Sequence, residues 1–323
     1  MGDAEFFELM SAAGVRVRLR ARGASIAEVF APDRGGASAN VALSPAGERD
    51  ETYAGATLAP FAGRIRGGLL RVEGRAIQLS RNDGGHQLHG GPDSLAFRLW
   101  RTDGVLRERN AQSVCFFAEA EHGRDGFPGD RRFSVLYTLR EDGRLDIRLS
   151  AETDRPTRVN LSNHAYWNLR GGASGTALGH FLQIAADEVY ENDAEHLPLR
   201  RRAARGPFDF RAPASLAERM RTPDPQLAIA RGYNHAFVLP VGRDADAPAA
   251  TLFDPGSGRR LRLYTDQPVL RLYSGGFLPV PSSALALEAE GFPDAPDVGA
   301  PGDPLTPGMP CERHISFALD APG

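Results

Sequence analysis

The sequence predicts an all-β protein, and three observations predict it. Segments VRVRLR (15–20), SVLYTL (134–139), RLDIRLS (144–150), RLRLY (260–264) and VLRLYS (269–274) alternate with period two, the spacing that sends side chains to opposite faces of a strand. Turn-forming residues separate such runs: Glu73-Gly74, Asp83-Gly84, Asp142-Gly143 and the stretch DPGSG (254–258). Helical periodicity is nearly absent; ASLAERM (214–220) is the one short candidate. Many short strands with turns at close intervals argue for a β-sandwich or barrel rather than an α/β fold.

The elements follow in order. SVLYTLREDGRLDIRLS (134–150) reads as a hairpin turned at Asp142-Gly143. NLSNHAYWNL (160–169), taken as a strand, puts Asn160, Ser162, His164, Tyr166 and Asn168 on one face. The other face, Leu161, Asn163, Ala165, Trp167 and Leu169, is mostly apolar and suits a core. In SSALALEAEGFPDAPD (282–297) the same alternation separates Leu285 and Leu287 from Glu288 and Glu290. The Pro/Gly-rich stretch DAPDVGAPGDPLTPG (294–308) has the composition of a linker, but HISFAL (314–319) must follow it as a last strand. The whole chain, 1–323, therefore reads as a single domain.

Composition excludes several classes of function. A hydrophobic content of 41%, a charged content of 24% and a net charge of −3 describe an ordinary globular protein, with no electrostatic case for nucleic acid or a membrane surface. All 38 basic residues are arginine, which rules out Schiff-base chemistry and a P-loop lysine. No glycine-rich strand-turn-helix unit appears, so a dinucleotide-binding fold is not expected. The two cysteines, Cys115 and Cys311, lie far apart; Cys115 in VCFFA reads as a buried small hydrophobe. With no basic-then-apolar leader in MGDAEFFELM and no apolar run near 18 residues, a soluble cytoplasmic protein is expected.

Among eight histidines, HxxH occurs once, as His86 and His89, with no HExxH, paired CxxC or obvious third ligand beside it; no metal site is expected. His122, His180 and His196 read as solvated, and His314 as structural. His164 differs by its company: a row of uncharged donors and acceptors suits a groove for a polyhydroxylated ligand. A satisfied polar network between two sheets would have the same spacing. Glu288 and Glu290, if partly buried, would raise each other's pKa, as suits a proton acceptor working near neutrality; a solvated acidic edge is the other reading.

These residues carry a resemblance. NLSNHAYWNL is similar to the NxTNHxYFNL segment of aldose 1-epimerases, and ALALEAEGFPDAPD resembles that family's GLxLExQxxPDAxN. APFAGRIRGG (59–68), HQLHGGPDS (86–94), GFPGDRRFSVLYTL (126–139), RGYNHAFVL (231–239) and YTDQPVLRLYSGGFL (264–278) match as well, so the likeness runs from about residue 50 to the C-terminus. It implies a large antiparallel β-sandwich, galactose mutarotase-like, that interconverts the anomers of free aldoses without a cofactor. It implies His164 as proton donor, Glu288 as proton acceptor, and Arg64, His89, Tyr166, Asn234 and Arg271 around the sugar. His164 is expected to act as an imidazolium.

Three positions depart from the pattern: Gly63 stands where Asn is usual, Asn234 replaces Asp, and Arg271 replaces Gln. The extra arginine and lost carboxylate would favour an acidic sugar such as a uronate, unless Glu290 neutralises Arg271. A phosphorylated sugar would need Arg64, Arg66 and Arg271 as a cluster. A non-catalytic carbohydrate-binding β-sandwich and a glycoside hydrolase using Glu288 with Glu290 are the rival classes. A monomer or homodimer is expected.

Overall fold

The regular pattern of the hairpin becomes the centre of a nine-stranded antiparallel sheet. Arg131–Arg140 pairs with Arg144–Thr153, Tyr137 facing Ile147 and Leu139 facing Leu145. Gly143, at φ +86°, takes the left-handed conformation that the reversal requires. Across the sheet the order is Arg101–Arg107, Ala111–Ala120, Arg131–Arg140, Arg144–Thr153, Cys311–Asp320, Arg260–Thr265, Ala250–Phe253, Phe181–Ile184 and Ala214–Ser215. HISFAL is thus a central strand, inserted between Arg144–Thr153 and Arg260–Thr265.

This computed structural model describes residues 6–171 and 175–322; residues 1–5 of the N-terminal stretch read above lie outside it. A second antiparallel sheet runs Tyr166–Trp167, Leu285–Glu290, Val269–Tyr273, Asn234–Val238, Glu188–Asn192 and Pro198–Ala203. Its inner face, with Phe237, Leu270, Leu272, Leu285 and Leu287, shares one apolar cluster with Tyr137, Ile147 and Phe317 of the first sheet. Trp167 is fully buried at this seam, its ring 4.9 Å from that of Phe317. A four-stranded sheet, Phe6–Met10, Arg16–Arg20, Ser25–Pro32 and Ser38–Asn40, adds Leu9, Val17, Leu19 and Val29 to the same core. The architecture is the expected all-β sandwich.

The remaining differences have local causes. The 214–220 segment splits into a two-residue strand and the helix Leu216–Met220, capped by Ser215 Oγ, which accepts from the Glu218 N–H. A second helix, Pro225–Ala230, starts on an Asp224 cap with Pro225 in its first turn, a signal that TPDPQLAIA carries and that its short length hides. The 294–308 stretch is pinned, because Arg158 donates to the carbonyls of Ala300, Pro301 and Gly302 at 2.6–3.0 Å. His180 is buried, not solvated: its Nε2 accepts from the Leu169 N–H at 2.9 Å. Cys115 is only half-buried, on strand Ala111–Ala120. No helix among the described residues is long and apolar enough to cross a membrane.

Candidate active site

The 160–169 segment is not one strand but two pairs, Ser162–Asn163 and Tyr166–Trp167, with His164 and Ala165 between them. The break divides the polar row. Asn160 donates to the Ala62 carbonyl and accepts from the Gly291 N–H; Ser162 donates to the Ala289 carbonyl; Asn168 donates to the Ser283 carbonyl. Those three hold backbone together, as a satisfied network does, and only His164 and Tyr166 line the cavity. Asn163, on the supposed apolar face, donates to the Gly55 carbonyl and to Tyr137 Oη and accepts from the Ala165 N–H. Backbone bonds on either side, His164 N–H to the Ala56 carbonyl at 2.9 Å and Gly55 N–H to the His164 carbonyl at 3.0 Å, fix the imidazole's base.

Arg64 opens one and His89 directly follows the other of two short paired strands, Arg64–Ile65 and Gln87–Leu88. Gly63 interlocks with His89: its N–H donates to His89 Nδ1 at 3.1 Å, and its carbonyl accepts from the His89 N–H at 3.1 Å. The GlyGly after His89 is required by space, since a Cβ on Gly90 would lie 2.9 Å from the Pro60 side chain and one on Gly91 2.8 Å from Asp125. On the second sheet, alternation turns Arg271 and Tyr273 away from Leu270 and Leu272, and Glu288 and Glu290 away from Leu287. The register sets Arg271 opposite Glu288, and Asn234 opposite Tyr273.

These residues surround one open cavity of about 390 Å³, within the range of small-molecule sites. His164, Glu288, Arg64, His89, Tyr166, Asn234 and Arg271 all line it. His164 Nε2 lies 3.6 Å from Glu288 Oε2, beyond a direct hydrogen bond and close enough for both atoms to hold one ligand between them. Glu288 Oε2 is buried without a protein partner, a state that costs about 1–3 kcal/mol and that a ligand hydroxyl would relieve. The Tyr166 hydroxyl is committed to the Thr52 carbonyl at 3.0 Å, so this residue presents its ring, 4.7 Å from that of His164.

The two arginines that line the cavity, Arg64 and Arg271, and the nearby Arg66 are each paired with a carboxylate. Arg64 Nε donates to Asp83 at 2.6 Å, Arg66 to Asp193 at 3.1 Å, and Arg271 Nε to Glu290 Oε1 at 3.0 Å, with Nη2 2.8 Å from the same oxygen. Of the two readings of Arg271, the one in which Glu290 balances its charge is the one the contacts match. Burial sets the resting charge of the imidazoles: desolvation lowers His164 to about 4 and holds His89 well below the usual range. The same desolvation pushes Glu288 up, against the opposing pull of Arg271 and Arg64. In the empty cavity near neutral pH His164 is neutral, and the burial that pushes Glu288 up pushes its neighbour Glu290 up as well.

Sequence reasoning missed Tyr53, Asp83, His196 and Phe277 in the lining. Tyr53, at φ +57°, sets its ring against His89 at 59° with centroids 4.7 Å apart; nothing in TYAGA signals it. His196 faces the cavity from its rim, half-buried rather than solvated.

His89, His164 and Glu288 each bring a donor atom within 4.8 Å of the others, a grouping that could hold a metal. The hydrogen bonding suits another use. With the Gly63 N–H on Nδ1, neutral His89 carries its proton on Nε2 and offers the cavity an N–H, not a lone pair. A metal-bound histidine ordinarily donates through its other ring nitrogen instead. The set fits a hydroxyl or ring oxygen.

Known proteins resemble this chain in sequence and in fold. The family model for aldose 1-epimerase aligns with residues 5–318. The chain belongs to the aldose 1-epimerase family. It is 33% identical over 305 residues to the aldose 1-epimerase of Escherichia coli K12, covering 90% of this chain and 86% of that one. It is 32% identical over 311 residues to the galactose mutarotase of Homo sapiens, covering 91% and 87%. Among solved structures, the GalM/aldose epimerase homologue from C. elegans superposes with a TM-score of 0.87 at 29% identity, covering 99% of this chain and all of that one. The galactose 1-epimerase from Lactobacillus acidophilus gives 0.86 at 26% identity, covering 98% and 94%. The chain is accordingly an isomerase of that family, with a sugar as substrate.

Proposed function

We propose that this aldose 1-epimerase equilibrates the α and β anomers of a free, uncharged hexose, with His164 and Glu288 as the proton-exchanging pair. The observation that carries the assignment is the 3.6 Å approach of His164 Nε2 to Glu288 Oε2 on the wall of an open cavity.

Opening a pyranose requires one proton to leave the anomeric hydroxyl and another to reach the ring oxygen as the C1–O5 bond breaks. Glu288 takes the first and His164 gives the second; the freed aldehyde turns about C1–C2, and the roles reverse as the ring closes on its other face. The working arrangement, carboxylate with imidazolium, holds the same single proton as the resting one, carboxylic acid with neutral imidazole. Binding moves that proton between the two groups without exchange with solvent. Each positioned acid or base contributes about 10²–10⁴-fold. His89 Nε2–H donates near the ring oxygen, where negative charge develops. Arg64 and Asn234 hold hydroxyls, the ring of Tyr166 packs on the sugar's apolar face, and Arg271 borders the anomeric end. The chemistry is proton transfer alone and asks for no cofactor.

The pairing of Arg64, Arg66 and Arg271 with carboxylates supports an uncharged sugar over a uronate or a phosphorylated one. Glu290, fully buried and held by two nitrogens of Arg271, is poorly placed as a glycosidase nucleophile. The two free cysteines fit a reducing, cytoplasmic setting. Polarimetry on freshly dissolved anomers of galactose, glucose, arabinose and galacturonate tests the reading. Faster equilibration of a neutral hexose than of galacturonate is expected. A preference for the uronate would contradict the uncharged pocket, and unchanged rates for all four would leave only sugar binding.

A further inference from the structure

Three buried charge-bearing groups meet on one face of the second sheet: Glu288, Glu290 two residues along the same strand, and Arg271 on the neighbouring strand, opposite Glu288 and diagonal to Glu290. One cation and two carboxyl groups in a dry space cannot carry full charge together, so one carboxyl keeps a proton near neutrality. The geometry decides which. Burial pushes both carboxyls up and leaves Oε2 of each without a partner, but Arg271 contacts Glu290 Oε1 through both Nε and Nη2, whereas no cation hydrogen-bonds Glu288. We propose that Arg271 and Glu290 act as one positioning unit, in which the guanidinium keeps Glu290 ionised so that Glu288 alone carries the proton exchanged with the sugar.

Space has been left for this unit. A Cβ on Gly63 would lie 3.5 Å from Glu290 Oε2 and 3.7 Å from Arg271 Nη2, so any longer side chain there would push against the pair. Gly63 also sits at φ +79°, where a Cβ is strained in any case. Of the other groups facing Glu288, His164 and His89 are neutral by burial, and Arg64 is balanced by Asp83. Tyr166 and Tyr273 are un-ionised, pushed further up by burial. The Arg271–Glu290 pair is thus the set of charges beside Glu288 whose balance a substitution can change.

The inference rests on Glu288 being the proton acceptor, and its test separates the two. The readout is the alkaline limb of kcat/KM, where the catalytic pair loses its single proton. Arg271→Gln removes the cation and should move the limb up by about one pH unit or more; Glu290→Gln removes the anion and should move it down by a similar amount. The Arg271→Gln/Glu290→Gln double variant, with both charges gone, should return it to within about half a unit, and Arg271→Lys, which keeps the charge, should hold it there. Limbs that stay at the wild-type position in both single variants, with only stability reduced, would overturn the inference.

Should a single variant fail to fold, carboxyl-carbon NMR of the glutamate-labelled wild type decides. One buried resonance should titrate near neutrality and vanish in Glu288→Gln. Its persistence in that variant would put the proton on Glu290 and overturn the inference. If Glu288→Gln kept wild-type activity, the acceptor assignment itself would fall, whatever the limbs did.

Discussion

The hairpin at 131–153 and the segment at 160–168 are neighbours in sequence and opposites in design. In the hairpin every second residue, from Phe133 to Leu139 and from Leu145 to Ala151, is buried in the common core, and the ladder is unbroken. In 160–168 the ladder stops after two residues, resumes after two more, and every residue is buried, polar or not. Alternation in the first region serves the core alone. In the second, the chain gives up sheet hydrogen bonds to aim one imidazole, and Asn160, Ser162, Asn163 and Asn168 replace those bonds with side-chain ones. Irregular backbone marks the site, and its cost is met by side-chain amides and a hydroxyl.

Substitutions can separate the two regions. Trp167→Ala, at the seam with Phe317, should cost about 3–5 kcal/mol in denaturant unfolding while kcat/KM of the folded fraction stays near wild type. A parallel loss of kcat/KM would mean that core and site are not separable. A buried histidine away from the proton pair sharpens the contrast through pH. His235 accepts from the Asn234 N–H on Nδ1 and contacts Gln226 through Nε2, and burial lowers it to about 3. Because the folded value lies below the unfolded one near 6.5, its contribution is complete above that pH and is lost as pH falls toward about 3. His235→Gln should therefore flatten the decline in stability between pH 6.5 and 4 by about 3 kcal/mol; equal slopes would show that His235 titrates normally. The smallest effect belongs to the polar row. Ser162→Ala removes one bond to the Ala289 carbonyl and should cost about 1 kcal/mol with kcat/KM unchanged. A large activity loss would return Ser162 to the floor of the cleft.

What could be read from the sequence follows the same division. Period-two runs such as 134–150 and 260–274 gave the sheets, their faces and the inward turn of Arg271, Tyr273, Glu288 and Glu290, because regular strands obey alternation. The resemblance brought Arg64, His89, Asn234 and His164 together across more than a hundred residues. What escaped depends on tertiary partners: the contact that decides between the two readings of Arg271, the burial that strips His164 of its proton, and the left-handed Tyr53 against His89. Asn163 does lie on the core side, but its amide is satisfied there by Gly55 and Tyr137, a partnership that period two does not encode.

The central claim is that one proton, shared by His164 and Glu288, is exchanged with the sugar. The direct measurement is the polarimetric decay of freshly dissolved α-galactose at neutral pH, for wild type, His164→Ala and Glu288→Gln at equal folded concentration. A fall of about 10²–10⁴-fold in each variant, with unfolding midpoints near wild type, is the predicted result. Near-wild-type rates in either variant would contradict it.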